Sequence, residues 1–358
     1  ISTDSEGNMT GFCWMTSTMR SHFERYHNCI FLDAMRRKTN VHLWPYISIV
    51  IVNDMGEAQP AIEGFVTSEL DEAYLFVIKS ALEMAPNVDP TNIGVVFGDQ
   101  FFTKELIIAS GLTHAKLFYD HYHLGLNQEK ELGSFLYGQV KDLLKSFINS
   151  KSHEDYTTCI ETLFERYPGK PELIDLLNRY EKLEHMVASY LIDQSVGSMM
   201  RRGSTPSEQN HSSIVSYIGK DYSGELIDIL ALLLQRHQHK NKKTNKTIAK
   251  QDNEMRVTKF SLTKELGPDS ELSKAASVLT KNGYEILLKT IADSEHYCFE
   301  TYPNGSRNVY RRKYSDKKRY FESVDDRCSC DDCVANQKQC RHEWCLKPVF
   351  DPDKWSLH

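Results

Sequence analysis

Residues 93–123 read IGVVFGDQFFTKELIIASGLTHAKLFYDHYH. A short β-branched run, Ile93–Phe97, ends in Gly98-Asp99-Gln100. A helix-like stretch, Phe101–Ser110, leads to a second apolar run, Ala115–Tyr119, which ends in Asp120-His-Tyr-His123. A carboxylate at the tip of a buried strand is a costly placement for charge unless something pairs with it. Metal binding makes such a placement useful.

The chain upstream supplies a context for these acids. Gly11–Met15 has the pattern of a hairpin arm, and His27–Asp33 reads as a buried strand ending on an acid. Tyr46–Asn53 is strongly β-branched, Asp54-Met-Gly56 is a turn, and Gln59–Thr67 returns as a third strand. Two short connections between three strands predict an antiparallel meander. Leu70, Ala73, Tyr74, Val77, Ile78 and Ala81 then share one helical face, and Pro86 and Pro90 end that helix. The order is three strands, helix, strand, helix, strand. That is the order of an α/β RNase H-like fold, a mixed sheet covered by helices on both faces. Residues 1–124 are therefore expected to form the first part of such a core.

From 125 to 200 the pattern is helical only, which predicts an all-helical insertion. Residues 201–236 read as closing helices: Ser204 or Thr205 can cap the first, with Pro206 at its start and Glu208 in its first turn. The Lys- and Asn-rich stretch 237–260 is expected to be an exposed basic linker. In the C-terminal region, 261–358, a helix over Ala275–Ile291 and strands at Tyr297–Tyr302, Asn308–Lys313 and Arg319–Val324 are expected.

Bulk properties narrow the function classes. A length of 358 residues suggests about two domains. No apolar run approaches the roughly 20 residues of a membrane span, so no membrane role is expected. The start, Ile1-Ser-Thr-Asp4, is not a signal peptide and lacks an initiator methionine, so a fragment of a longer chain is expected. Net charge is -6, which argues against a uniformly basic nucleic-acid coat. Local basic stripes matter more. Eight Lys or Arg lie between Arg236 and Lys259, and a second run, Arg307–Arg319, is interleaved with Tyr310 and Tyr314. Lys242, Lys243, Lys246, Arg311 and Arg312 are the candidate DNA contacts. Five of the nine cysteines fall between Cys328 and Cys345, which reads as a metal site rather than a disulfide framework.

Three constellations carry chemistry. Asp33, Asp99 and Glu208 occupy the settings in which an RNase H-like sheet and a later helix bring acids together. Phosphoryl transfer on nucleic acid can use two Mg²⁺ ions about 4 Å apart, and hard Mg²⁺ favours carboxylates. Singly, each acid also suits a turn, a helix cap or a helix-dipole position. Cys328-Ser-Cys330, nine residues, then Cys340-Arg-His342 is a Cys₃His donor set for a structural Zn²⁺, with Cys333 and Cys345 as competing candidates. Asp120-x-x-His123 can orient a catalytic acid, contact DNA, bind a metal or simply cap a helix, and the residues leave these alternatives open.

Four stretches together resemble the transposases of Mutator-like elements and their domesticated relatives, including the zinc-finger SWIM-domain proteins. They are Phe31-Leu-Asp-Ala-Met-Arg-Arg-Lys-Thr-Asn40, Val95-Val-Phe-Gly-Asp99, Asp120-His-Tyr-His-Leu124 and Ser207-Glu-Gln-Asn210. The Cys-x-Cys…Cys-x-His at 328–342 is similar to the SWIM zinc finger, placing a small C-terminal SWIM-type domain at about 297–350. The resemblance implies a DDE core interrupted by a helical insertion, with Asp33, Asp99 and Glu208 as catalytic ligands of two Mg²⁺ or Mn²⁺ ions. It implies metal-dependent cleavage of DNA at terminal inverted repeats, followed by attack of the freed 3′-OH on target DNA. Asp120 and His123 match the family's Cys/Asp-x-x-His motif. At the first acid the usual Asp-Ala-Thr-Tyr-Lys-Thr-Asn is one residue longer here. Nuclear residence and a homo-oligomer accompany this reading, and a domesticated relative that binds DNA or protein without cutting is the alternative.

Overall fold

Alternating apolar side chains build the central sheet. The computed structural model describes residues 1–35, 40–53, 56–196, 205–219, 222–301, 307–311, 319–323 and 344. The chain divides into two compact units, Ile1–His239 and Lys240–His358.

The first unit opens with β1 (Ser2–Thr3), β2 (Met9–Trp14) and α1 (Ser17–Tyr26). Then come β3 (Cys29–Met35), β4 (Tyr46–Val52), β5 (Ala58–Val66) and α2 (Asp71–Met84). β6 (Val95–Gly98), α3 (Lys104–Ala109) and β7 (Lys116–Tyr119) complete the sheet, whose order is β1-β2-β5-β4-β3-β6-β7. β3, β4 and β5 pair antiparallel, as the short connections between them require, whereas β6 and β7 run parallel to β3. This is the mixed sheet expected from the element order. The arm near Gly11 is β2, which pairs with β5 on one side and with the two-residue edge strand β1 on the other.

Strand periodicity gives the sheet two different faces. Ile30, Leu32, Ile47, Ile49, Val96 and Leu117 point to one face and join Phe23 of α1 and Val77, Ile78 and Ala81 of α2 in the largest core. On the other face lie two separate apolar clusters. Phe31, Val50, Phe97 and Phe118 pack with Ile192 at one end of the strands, and Met35, Tyr46 and Phe65 pack with Ile214, Ile229 and Leu233 at the other. A polar row crosses the sheet between them. Trp14 pairs with Glu63, Glu63 with Ser48, and Ser48 with Asp33.

Helices follow from β7: α4 (His121–Ile148), α5 (His153–Arg166), α6 (Pro171–Lys182), α7 (Glu184–Val187) and α8 (Ser189–Val196). Their apolar stripes, including Val140, Leu144, Leu173 and Leu177, extend the largest core. α9 (Thr205–Ile218) and the first turns of α10 (Leu226–Leu266) return to cover the second face.

Glu63 fixes that return. Its side chain is fully buried. Arg236 Nη2 donates to Oε1 at 2.7 Å, His237 Nε2 lies 2.5 Å from Oε2, and the Tyr46 hydroxyl donates to Oε1 at 2.6 Å. Asn210 of α9 completes the cluster, donating to the Tyr46 hydroxyl at 3.2 Å and accepting from Arg236 on its side-chain and backbone oxygens. Burial opposes ionisation of Glu63, but His237 and Arg236 outweigh it and hold the carboxyl down at about 2.

Residues 237–260 are not the linker expected from their composition. They lie within the continuous helix α10. No Gly or Pro interrupts the stretch from Leu226 to Leu266, and Lys, Ala and Gln are good helix formers. Arg236, His237, Thr244 and Met255 are buried along it, so helical spacing persists beneath the polar composition. Gly267, in the left-handed region at φ 86, and Pro268 stop the helix.

The second unit holds the end of α10, α11 (Glu271–Val278), α12 (Lys281–Ser294) and a three-stranded antiparallel sheet. Its strands are β8 (Tyr297–Thr301), β9 (Arg307–Arg311) and β10 (Arg319–Ser323), in the order β10-β9-β8. The helix expected over Ala275–Ile291 is two, because Thr280 caps a new helix by accepting from the Gly283 amide at 3.2 Å. Met255, Ala275, Leu279, Tyr284, Leu287 and Trp344 form a core for this unit.

Glu63→Gln leaves Arg236 buried without its counter-charge and is expected to lower stability by about 3–5 kcal/mol in chemical denaturation. The folded-state pKa of Glu63 lies below its ordinary value of 4.5, so its contribution is present above pH 4.5 and is lost as pH falls from there towards 2. Parent stability should drop by on the order of 3 kcal/mol more than that of Glu63→Gln across this window.

Candidate metal centre

The polar row continues into the parallel half of the sheet. β3 and β6 pair in register up to Phe31↔Phe97, and β6 and β7 up to Gly98↔Tyr119. Continued past those pairs, the register sets Asp33 level with Asp99 and Asp99 level with Asp120. Three acids thus line the carboxyl ends of neighbouring strands, the edge at which open α/β sheets bind ligands.

Asp33 is 8% exposed. Its Oδ1 accepts from the Ala34 amide at 2.8 Å, whereas its Oδ2 is buried and accepts no hydrogen bond. Burial pushes its pKa up to about 7, the neighbouring Asp120 and Glu208 push the same way, and His123 opposes them. Among the described residues, Asp33, His123 and Glu208 each bring a donor atom within 4.8 Å of the others. Glu208 comes from the first turn of α9, where the helix dipole favours a carboxylate.

Asp120 serves two ends at once. Its Oδ1 caps α4, accepting from the Tyr122 amide at 2.8 Å and the His123 amide at 3.4 Å. Its Oδ2 lies 3.2 Å from His123 Nδ1. Burial favours the neutral imidazole, but this contact and the charges of Asp33, Asp120 and Asp99 hold His123 up at about 9. The surplus of carboxylates over imidazole suits a cation.

Asp99, expected as the middle member of the acid triad, lies outside the three-residue donor group. Its Oδ1 accepts from the Gln100 amide at 2.6 Å and from Asn127 Nδ2 at 3.3 Å. Its backbone carbonyl accepts from the Phe102 amide at 2.9 Å, and the Phe102 ring packs on Gly98, where an added Cβ would fall 2.7 Å from Cδ2. The structure instead brings in His123, whose role the residues alone left open. It also adds His211, not singled out in the sequence, whose Nδ1 stands 3.6 Å from Asp33 Oδ2. The signal for His211 was its spacing three residues after Glu208, which places both on one side of a helix.

Other expected site residues fall elsewhere. Lys242, Lys243 and Lys246 are exposed on α10, and Arg311 ends β9. Arg312 and the zinc candidates Cys328, Cys330, Cys340 and His342 lie outside the described residues. No helix among the described residues is long and apolar enough to cross a membrane.

Residues 1–118 match the family model described as zinc finger SWIM domain-containing protein 1/3, RNaseH-like domain. The match is confined to this N-terminal segment. The match spans Asp33 and Asp99 and ends before Asp120, His123 and Glu208. It falls on the N-terminal sheet and not on the Cys/His stretch, so the expectation of a small C-terminal SWIM-type domain is corrected. No curated protein matches the chain.

Asp33→Asn removes a buried acid whose Oδ2 accepts no hydrogen bond. Without divalent cation it is expected to stabilise the chain by on the order of 1 kcal/mol. Saturating Mn²⁺ should raise the Tm of the parent but not of the variant. Equal Mn²⁺ shifts in both proteins would remove Asp33 from the cation site.

Proposed function

We propose that the chain is a DDE-type DNA transposase of the Mutator-like class, cutting DNA at element ends and joining them to target DNA. The observation that carries this reading is the convergence of Asp33, Glu208 and His123 donors at a buried acid of an RNase H-like domain. Asp33 and Glu208 would hold Mg²⁺ or Mn²⁺, with Asp99 as the further acid that a second ion requires. A divalent cation bound there supplies Lewis-acid stabilisation of charge developing on a phosphoryl oxygen.

In the cutting step water adds to phosphorus and the P–O3′ bond breaks. The water oxygen stays on the 5′-phosphate and a proton passes to the leaving O3′. In the joining step that 3′-OH attacks a target phosphorus, the target P–O3′ bond breaks, and the proton passes to the released target O3′. Asp120 orients His123 within this donor group, and the buried Glu63 cluster holds α9 so that Glu208 faces Asp33.

Exposed Lys242, Lys243 and Lys246 would contact DNA phosphates, since lysines on one helical stretch neutralise successive phosphates without reading bases. Zinc at Cys328, Cys330, Cys340 and His342 is proposed on donor spacing alone, as a bound ion rather than a separate SWIM-type domain. Nuclear residence goes with a DNA substrate. A second reading, a domesticated protein that binds DNA without cutting it, is favoured by the position of Asp99 outside the donor group and its contact with Asn127.

Supercoiled plasmid incubated with the intact chain and Mg²⁺ or Mn²⁺ separates the two. Nicking is expected, with loss of at least about 10²-fold in rate in Asp33→Asn and Glu208→Gln. Binding without nicking would leave the non-catalytic reading, and an Asp99→Ala variant that nicks at the parent rate would remove Asp99 from the site. Replacing Lys242, Lys243 and Lys246 by Ala should reduce the salt dependence of DNA binding by about 0.9 in log–log slope for each phosphate no longer neutralised.

A further inference from the structure

The Asp120-x-x-His123 motif has a geometry that its sequence did not disclose. One carboxylate oxygen of Asp120 caps α4, and the other faces Nδ1 of His123 at 3.2 Å. That leaves the second ring nitrogen, Nε2, for another partner. The same imidazole has a donor atom within 4.8 Å of donors from Asp33 and Glu208. Asp33 Oδ2, in a side chain only 10% exposed, accepts no hydrogen bond. A carboxylate held on one ring nitrogen of an imidazole that also belongs to a shared donor group is the arrangement by which proteins fix the tautomer and raise the basicity of a metal-ligating histidine.

We propose that Asp120 and His123 form a carboxylate–histidine unit that gives the Asp33–Glu208 cation site a nitrogen ligand, so that the site selects Mn²⁺ over Mg²⁺. His123 is the ligand and Asp120 is a positioning residue. The proposal rests on reading Asp33 and Glu208 as a cation site. The chemistry of selection is simple. Mg²⁺ demands oxygen ligands and gives up its waters reluctantly. Imidazole suits softer first-row cations, which bind mixed nitrogen and oxygen donors more readily. A site made only of Asp33, Asp99 and Glu208 would be an all-oxygen site. The donor group around Asp33 contains an imidazole, whereas Asp99 accepts from Gln100 and Asn127 outside it. Mn²⁺ is also the useful probe, because the cysteine-rich C-terminal stretch would compete for Zn²⁺.

The test uses the intact chain with Mn²⁺ and Mg²⁺ alone. Spin-echo modulation of bound Mn²⁺ should show a directly coordinated ¹⁴N that is absent in His123→Ala. Mg²⁺ competition should show a preference for Mn²⁺ in the parent that collapses in the same variant. Asp120→Asn keeps the helix cap, since Asn caps as well as Asp. It removes the charge behind His123 and should weaken Mn²⁺ binding by about 10–100-fold. That second variant decides the matter if His123→Ala fails to fold, as judged by its circular dichroism and Tm. Mn²⁺ bound without a ¹⁴N coupling, a coupling that persists in His123→Ala, or equal affinity for the two ions would overturn the nitrogen-ligand proposal while leaving an oxygen-only cation site. No Mn²⁺ bound at all would remove the cation site itself.

Discussion

The buried carboxylate of Glu63 is the constraint on which this architecture turns. An ionised group with no exposure to water persists only when its charge and its lone pairs are both satisfied. Here the satisfaction comes from three elements far apart in sequence: Tyr46 on the neighbouring strand, and Arg236 and His237 on α10, with Asn210 of α9 bonded to both Tyr46 and Arg236. A charge cluster has a far narrower optimum than an apolar contact, which tolerates sliding. It therefore registers α9 and α10 against the sheet more sharply than Ile214 or Leu233 can. Glu208 and His211 flank Asn210 on α9, so this registration also sets the donors at Asp33.

The polar row shows how one sheet face separates stability from chemistry. Apolar clusters occupy both ends of the strands, and between them run Glu63, Ser48 and Asp33. At Glu63 the protein meets every demand of a buried charge. At Asp33 it leaves one oxygen without a hydrogen bond and crowds it with other acids. Such a contrast within one row is the signature of a site held at the expense of fold stability. The fully paired Glu63 carboxylate next to it offsets that expense.

What was legible in the sequence follows from what each signal depends on. Strand alternation and short connections are local, so β3, β4, β5, β6 and β7 and the acids at their ends could be read from residue order. Glu63 could not, because it is one acid inside an apolar strand and the partners Arg236 and His237 that balance its charge lie 173 and 174 residues away. The stretch 237–260 has the Lys and Asn content of a loop, while helix formation there depends on propensity and on a few buried positions. Asp99 was expected in the donor group from its strand-end setting. Local capping by Gln100 and contact with Asn127 decide its orientation instead, and neither follows from spacing. The C-terminal cysteine spacing suggested a SWIM-type domain, but the family match belongs to the N-terminal sheet.

The long chain distance between Glu63 and Arg236 has a consequence on the ribosome. At about 5–20 residues per second, roughly 10–30 s pass between synthesis of the acid and of its counter-charge. During that interval the strands of the family-matched segment can pair and cover their first face with α1 and α2. The second face, with Tyr46, Phe65 and the Glu63 carboxylate on it, must wait in contact with water or a chaperone. The intervening helices are synthesised before the elements that close this face. The boundary recognised by family resemblance at residue 118 is therefore not a boundary of folding, and the nascent sheet is a half-finished surface until α10 arrives.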